Sequence, residues 1–134
     1  LNTDSTLKGQ CIFLSERVTE LFQPNIITDR TVIDVIAFSN LSTSMTSKEK
    51  ATFNNLASNM ISDYDYIFYV SPEGVEIENN GVRETNSEYR DRIDNEIQSL
   101  LYFKSNLIKN IKHLKGTTEE RIKTVKETIP FQYL

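Results

Sequence analysis

Two short polar segments of the chain carry residue types suited to phosphate and divalent-metal chemistry. The first, residues 25–31, ends a β-branched run in Asp29 and Arg30, and the second, residues 79–85, contains Arg83. A carboxylate such as that of Asp29 can hold Mg²⁺ directly or through water. An adjacent arginine can make bidentate contacts with phosphate oxygens. The two segments together predict a site for phosphate and a divalent metal.

The second segment favours an arginine-bearing loop that precedes a helix. Asn80-Gly81 permits a tight turn with positive φ, Arg83 lies ahead of the predicted helix, and Arg90 lies within its first turn. Arginines held over a transferring phosphoryl group would exclude water and offset developing charge. The alternative is an ordinary loop followed by a solvated helix face, with Arg90 paired to Asp94.

The first segment also has a plain structural explanation. Asp29 and Arg30 could form a surface turn in which Asp29 caps the following helix and Arg30 is solvated. Asp34, one turn later, could orient Arg30 or pair with it. Glu16 and Arg17 could reach the site from the first helix as further substrate-binding candidates, although a solvated helix face explains them equally well.

Three other positions are weaker candidates. Gly116 before Thr117 could bring the backbone close to a nucleotide base, although helix capping is a sufficient explanation. His113 is the lone histidine and has no ligand partners at zinc-site spacing. Because Cys11 is the lone cysteine, an internal disulfide is impossible. We predict that Cys11 is a core residue rather than a nucleophile.

Hydrophobic periodicity predicts alternating helices and strands that would position these residues. Helices are predicted over about 6–23 and 31–39, and Ser47 and Ser87 are predicted to cap the next two. Thr117 and Thr118 are predicted to open a last helix whose inward residues would be Ile122, Val125 and Ile129. Strands are predicted over 25–28 and 64–70, the second buried on both faces, and the segment 106–114 is ambiguous. This order favours an α/β fold, a parallel sheet flanked by helices, with ligands at the carboxyl ends of its strands.

Composition limits the class of protein. The 134 residues are enough for one domain, which we expect to span 1–134, and 38% hydrophobic with 25% charged residues is typical of a soluble globular protein. A net charge of −4 makes a nucleic-acid partner unlikely on electrostatic grounds. No apolar run approaches the roughly 20 residues that span a bilayer, so no membrane partner and a cytoplasmic location are expected. Because the chain begins with Leu1 rather than Met, we expect it to be a processed chain or a piece of a longer one.

Several motifs resemble the P-loop nucleoside and nucleotide kinase superfamily. They are the run from Asp29 to Asp34, the aromatic strand at 66–69, Gly81-Val82-Arg83, and Tyr89-Arg90 followed by Ile93-Asp94. The nearest resemblance is to the AAA-domain family that includes nicotinamide riboside kinase-like ATPases and phage-type deoxynucleotide kinases. It extends over about residues 7–129, and it rests on the order and spacing of the motifs.

The resemblance implies an incomplete P-loop NTPase fold and ATP-dependent phosphoryl transfer with Mg²⁺. Asp29 would then position magnesium or activate the acceptor, and Arg30 would bind the acceptor. Arg83 and Arg90 would lie over the transferred phosphoryl group, and Gly116-Thr117 would lie near the adenine. The family's first strand and its Gly-x-x-x-x-Gly-Lys-Ser/Thr loop have no counterpart in the sequence.

Three functions follow as hypotheses. The chain could be the carboxy-terminal part of a nucleoside or nucleotide kinase whose phosphate loop lies in a preceding segment. It could instead be a non-catalytic nucleotide- or protein-binding module with a degenerate kinase fold. It could also act on a nucleic-acid end, against which the acidic net charge weighs. In the first two cases a second chain or an amino-terminal segment would complete the sheet.

Overall fold

The protein has an α/β structure. The computed structural model describes residues 5–72 and 87–130, so Arg83 and the predicted loop around it lie outside the described residues. The described elements are, in chain order, α1 (Leu7–Leu21), α2 (Val32–Asn40), α3 (Ser47–Ser58), β1 (Ile67–Val70), α4 (Ser87–Phe103), β2 (Ile111–Leu114) and α5 (Thr118–Thr128). Two short 3₁₀ helices, Ile61–Asp63 and Ser105–Leu107, precede the strands.

Threonine side chains determine where four of the helices begin. The hydroxyl of Thr6 accepts a hydrogen bond from the Gly9 backbone N–H at the start of α1. Three other helices begin with complete capping boxes, in which a threonine and the acid three residues later satisfy each other's backbone N–H groups. These pairs are Thr31 with Asp34, Thr46 with Glu49, and Thr117 with Glu120. The predicted cap of α3 was wrong by one residue, because Thr46 rather than Ser47 is the N-cap.

The strand predicted at 25–28 does not form. This segment is irregular, with Asn25 at φ 55° and Arg30 at φ 84°, both in the left-handed region. The hydroxyl of Thr28 donates to the Arg30 carbonyl at 2.8 Å, which closes a local turn. A strand is stabilised by pairing, and none of the described strands pairs with this segment. Its β-branched composition therefore does not produce a strand here.

The described strands form one two-stranded parallel sheet. β1 pairs with β2 in the register Ile67 to Ile111 through Val70 to Leu114. The ambiguous segment 106–114 therefore contains a strand, preceded by a 3₁₀ turn. The prediction that the strand at 64–70 is buried on both faces was wrong, because in β1 Ile67 is buried but Val70 is 49% exposed. The described helices cover this sheet only in part, since Ile111, Lys112 and His113 of β2 are exposed as well.

The hydrophobic core forms around α2, which packs against α1, α3 and α4. Val32, Ile36 and Ala37 of α2 are completely buried, together with Ala57 and Ile61. The remaining buried members of the core are Leu14, Ile33, Val35, Met45, Phe53, Tyr64, Ile67 and Leu100. None of the described helices has the length and apolar composition needed to cross a membrane.

Two predicted inward faces differ from the structure. Cys11 is exposed, so the prediction that it is a core residue was wrong, and Gln10 occupies the buried position on that side of α1. No residue of α5 is fully buried, and Ile122, predicted to face inward, is 49% exposed. The apolar positions of α5 lack the depth of core that α2 has, so α5 lies at the periphery of the described fold.

Candidate functional site

An open groove of about 890 Å³ lies beside the sheet. One side is formed by the irregular segment 25–31, and another by the chain from Asp63 through β1 to Val70. Apolar side chains of α4 and α5 complete the walls: Ile93, Ile97, Leu101, Val125 and Ile129. Four of the residues predicted to form the site lie along this groove, namely Asp29, Arg30, Asp34 and Arg90.

The Asp29–Arg30 turn is fixed to α1 by Arg17. The Arg17 Nη1 atom donates to the Asp29 carbonyl at 3.1 Å, and its Nη2 atom lies 2.7 Å from a carboxylate oxygen of Glu20. The side chain of Arg17 is only 15% exposed, because it is held between the helix and the turn. Arg17 therefore positions the turn from behind. It does not line the groove, and its predicted part in substrate binding stays a prediction.

Arg30 combines a strained backbone with an oriented side chain. Its φ of 84° is costly for a residue with a Cβ atom, and such conformations cluster at functional sites. Its guanidinium carbon lies 5.5 Å from the ring centroid of Phe38, a cation–π contact that favours this placement of the group. Within the described residues, no hydrogen bond or ion pair engages the guanidinium of Arg30 or the carboxylate of Asp29. Both groups are therefore available to a ligand.

Asp34 has a structural role in the groove wall. One of its carboxylate oxygens accepts from the Thr31 backbone N–H at 2.8 Å, which completes the capping box of α2. Burial raises the pKa of Asp34, against the opposing effect of the Thr31 backbone bond and the nearby charge of Arg30. Asp34 makes no hydrogen bond or ion pair with Arg30, so the predicted pairing of the two side chains is not seen. The contacts of its carboxylate are those of the helix cap, and its role in substrate binding stays a prediction.

Tyr64 is a site residue that the sequence patterns did not single out. Its hydroxyl oxygen accepts from the Val32 backbone N–H at 3.1 Å, in a buried bond between the approach to β1 and the first turn of α2. Burial raises the pKa of Tyr64 to about 12. The bond holds the start of α2, and thus the Asp29–Arg30 turn, against the strand. Tyr64 belongs to the aromatic run at 64–70, and nothing in that run indicates a contact with a residue 32 positions earlier.

The α4 side of the groove contains a second polar cluster. The Tyr69 hydroxyl donates to Asp94 Oδ1, and Gln98 Nε2 donates to Asp94 Oδ2 at 2.7 Å. Burial, reinforced by the neighbouring Asp94 carboxylate, raises the pKa of the Tyr69 hydroxyl, which therefore stays protonated at neutral pH. Arg90 lies one turn before Asp94, with Nε 3.8 Å from Asp91 Oδ1. The long range of the Tyr69–Asp94 contact again left it invisible in the sequence.

Three predicted residues of the described chain lie away from the groove. Glu16 lies beside Arg17, with the two side chains 3.8 Å apart, and does not line the groove. Gly116 and Thr117 do not line it either, and the start of α5 accounts for both. Gly116 has φ +88°, a backbone conformation that residues with a Cβ atom rarely adopt, so the turn before α5 favours glycine at this position.

The charge of the groove favours a cation together with an anion. Five aspartates line it, against the three basic residues Arg30, Arg90 and Lys109. In the described part of the chain, no three potential metal ligands come together in one group. Mg²⁺ in phosphoryl-transfer sites often uses only one or two carboxylates, with phosphate and water completing its shell. The exposed carboxylate of Asp29 fits that limited role.

Comparisons of this chain with protein-family models, with curated proteins and with solved structures found no match. The chemical interpretation of the groove therefore depends on its own residues. Among its lining residues, Asp29 offers an exposed carboxylate, Arg30 a guanidinium beside it and Arg90 a second guanidinium from α4, and apolar side chains of α4 and α5 line the walls.

Proposed function

We propose that this protein takes part in ATP-dependent phosphoryl transfer to a nucleoside, a nucleotide or a related small molecule, as part of a larger P-loop kinase-like ATPase. One observation carries the proposal. Asp29 and Arg30, from the turn before α2, line the same groove as Arg90 of α4, although about sixty residues of sequence separate them. A carboxylate and two arginines around one concave surface are among the groups that phosphoryl transfer uses.

Each residue has a distinct role in this proposal. Arg30, oriented by Phe38, binds an oxyanion of the acceptor through its planar fork. Asp29 receives the proton of an acceptor hydroxyl or helps to hold Mg²⁺, which when bound neutralises phosphate charge. Arg90 offsets the charge that develops on the transferred group. Arg83, which lies outside the described residues, remains a predicted second arginine for that step.

The phosphate cradle has to come from elsewhere. The 134 residues contain no Gly-x-x-x-x-Gly-Lys-Ser/Thr sequence, whose backbone N–H groups and lysine hold ATP phosphates. We therefore expect the isolated chain to bind ATP weakly, whereas a longer polypeptide that adds such a loop would bind it. Calorimetry with Mg·ATP on both proteins compares the two affinities directly.

The decisive experiment measures phosphoryl transfer by that longer polypeptide from radiolabelled ATP to a panel of nucleosides and nucleotides. Arg90→Ala is expected to lower kcat by roughly 10³-fold, as for an arginine that stabilises the transferred phosphoryl group. Arg92→Ala is the matched control, because Arg92 is exposed on the same helix and does not line the groove. Equal rates for the two variants would show that Arg90 has no part in transfer.

The absence of the phosphate loop from the sequence also favours a second candidate, a non-catalytic module that binds a nucleotide or a protein. In that case the panel gives no transfer with any acceptor, while nucleotide binding still depends on Arg30. Arg30→Gln, which removes the fork and keeps a polar side chain, separates the two functions when binding and transfer are measured on the same preparation.

A further inference from the structure

The edge of β1 that faces away from β2 has no strand partner among the described residues. The Ile67 backbone N–H donates to the Asn110 carbonyl at 2.8 Å, so in a parallel ladder Ile67 and Tyr69 direct their backbone groups toward β2. Phe68 and Val70 direct theirs to the opposite edge. Neither makes a backbone hydrogen bond across that edge to another described residue. The free edge therefore presents alternating donors and acceptors.

The groove runs along this free edge and is apolar on both faces of the sheet. Ile67 and Tyr69 face α4, where Ile97 and Leu101 line the groove. Phe68 and Val70 face the other way, together with Leu114, the buried partner of Val70. Every residue from Tyr66 to Val70 lines the groove, whereas Ile111, Lys112 and His113 of β2 do not, so the groove follows β1 on the side away from β2.

The far side of the groove has strand-like composition but no strand structure. The segment 25–28 carries Ile26 and Ile27, which are 40% and 83% exposed. Asp65 and Lys109, which precede β1 and β2 in the sequence, also line the groove, as do Asp29 and Arg30. The segment 25–28 and β1 thus both place apolar side chains along the groove, and neither has a strand partner across the groove among the described residues.

We infer that this groove receives a β-strand of about four residues, apolar on both faces, from a second polypeptide segment, and that this strand pairs with the free edge of β1. An extended backbone is the one common group that satisfies alternating N–H and C=O groups along an edge. Apolar side chains on both faces suit a strand enclosed in an α/β fold. A second copy of the sheet suits the space less well, because α4 and α5 flank the edge.

This inference does not depend on phosphoryl transfer, and its test contains no nucleotide. The probe is a soluble nine-residue peptide, Lys-Lys-Val-Ile-Val-Ile-Val-Lys-Lys, added to the ¹⁵N-labelled full chain. Amide hydrogen exchange of Phe68 and Val70 is expected to slow about tenfold or more on saturation. Exchange at Ile67 and Tyr69, already bonded to β2, should change much less.

Two controls distinguish strand pairing from hydrophobic adsorption. The same peptide with its alternate backbone nitrogens methylated keeps every side chain but loses donors, and it should bind about tenfold more weakly. Val70→Lys should weaken binding, whereas Ile111→Lys should not, because both side chains are partly exposed on the sheet but Ile111 does not line the groove.

Three results would overturn the inference. The first is no peptide binding at about 1 mM, the weakest affinity worth calling specific. The second is equal binding of the plain and methylated peptides, which would indicate a generic apolar patch. The third is a dimer of the chain alone, detected by analytical ultracentrifugation, in which the same two amides are already protected. That result would make a second copy the occupant.

Discussion

At the scale of single residues, the site contains a strained backbone at Arg30 that neighbouring contacts stabilise. Arg30 adopts a left-handed backbone conformation, and its neighbours hold it there: Arg17 bonds the Asp29 carbonyl, Thr28 bonds the Arg30 carbonyl, and Phe38 lies under the guanidinium. Such a conformation costs of order 1–3 kcal/mol and persists where surrounding contacts impose it. Fold and ligand binding therefore make different demands on position 30.

Substitutions at position 30 separate these two demands. Arg30→Asn should leave the free energy of unfolding nearly unchanged, because asparagine tolerates the left-handed region. Arg30→Val should lower it by about 1–2 kcal/mol, since a β-branched side chain is poorly accommodated at φ 84°. Both variants lose the guanidinium, so both should lose oxyanion binding. Urea denaturation of the two proteins measures the difference, and equal stabilities would contradict the strain.

The raised pKa of Tyr64 predicts how the stability of the protein depends on pH. Burial raises its pKa to about 12 in the folded protein, from 10.0 in its ordinary environment. The folded state therefore holds the proton more tightly than the unfolded state. The resulting stabilisation is complete below about pH 10 and is lost as the pH rises through about 12, with an upper limit of about 2–3 kcal/mol.

The Tyr64→Phe variant isolates this contribution. It removes the acceptor of the buried Val32 N–H and should destabilise the protein by about 1–2 kcal/mol at pH 7. The difference in unfolding free energy between wild type and variant should then shrink between pH 10 and 12. A difference that stays constant over this range, measured by urea denaturation, would mean that Tyr64 does not titrate as its burial requires.

At the scale of elements, the sequence predicted the helices better than the sheet, and the reason is the range of the contacts involved. The start of α2 depends on Thr31 and Asp34, three residues apart, and the start of α5 on Thr117 and Glu120. Such signals are complete within one turn of sequence. The strand expected at 25–28 depended on a distant partner, and no described strand provides one. Its composition was therefore insufficient.

The candidate site shows the same division. Asp29, Arg30 and Arg90 were predicted as site residues from residue type and position, and all three line one groove. Tyr64 and Tyr69 were missed because their partners, Val32 and Asp94, lie 32 and 25 residues away. Glu16 and Arg17 were assigned to the site from their helix alone, but Arg17 instead holds the turn from outside the groove. Local sequence patterns therefore identified residues with suitable side chains, whereas the contacts that these side chains make depend on long-range packing.

Alternate residues of β1 direct their backbone groups toward β2 and toward the free edge, which gives a prediction about proline substitutions. Proline lacks an N–H, so Tyr69→Pro removes a bond to β2, whereas Phe68→Pro removes a donor that points to the free edge. Relative to the alanine variant at the same position, proline should cost about 1 kcal/mol more at position 69 than at position 68. Comparison with alanine cancels the loss of each aromatic side chain. Equal proline costs in urea denaturation would mean that β1 has no free edge.

At the scale of the whole molecule, charge limits what the groove can bind. The chain carries a net charge of −4, and aspartates outnumber basic residues along the groove. A polyanion without counterions would meet repulsion there. A small phosphate ester accompanied by Mg²⁺ brings compensating charge, so metal and anion should bind together.

This coupling can be tested on the chain with one simple ligand. We expect a nucleoside monophosphate to bind more tightly in Mg²⁺ than in EDTA, because the cation offsets the carboxylate of Asp29. Asn at position 29 removes that charge, so the Asp29→Asn variant should bind better than wild type in EDTA and gain little from Mg²⁺. Asp63→Asn is the control, since Asp63 also lines the groove and is exposed but lies beyond the Asp29–Arg30 turn. Calorimetry gives the four affinities for each protein pair. If Asp63→Asn reduces the Mg²⁺ dependence as much as Asp29→Asn does, the effect is the general field of the groove, and Asp29 has no special place in holding the metal.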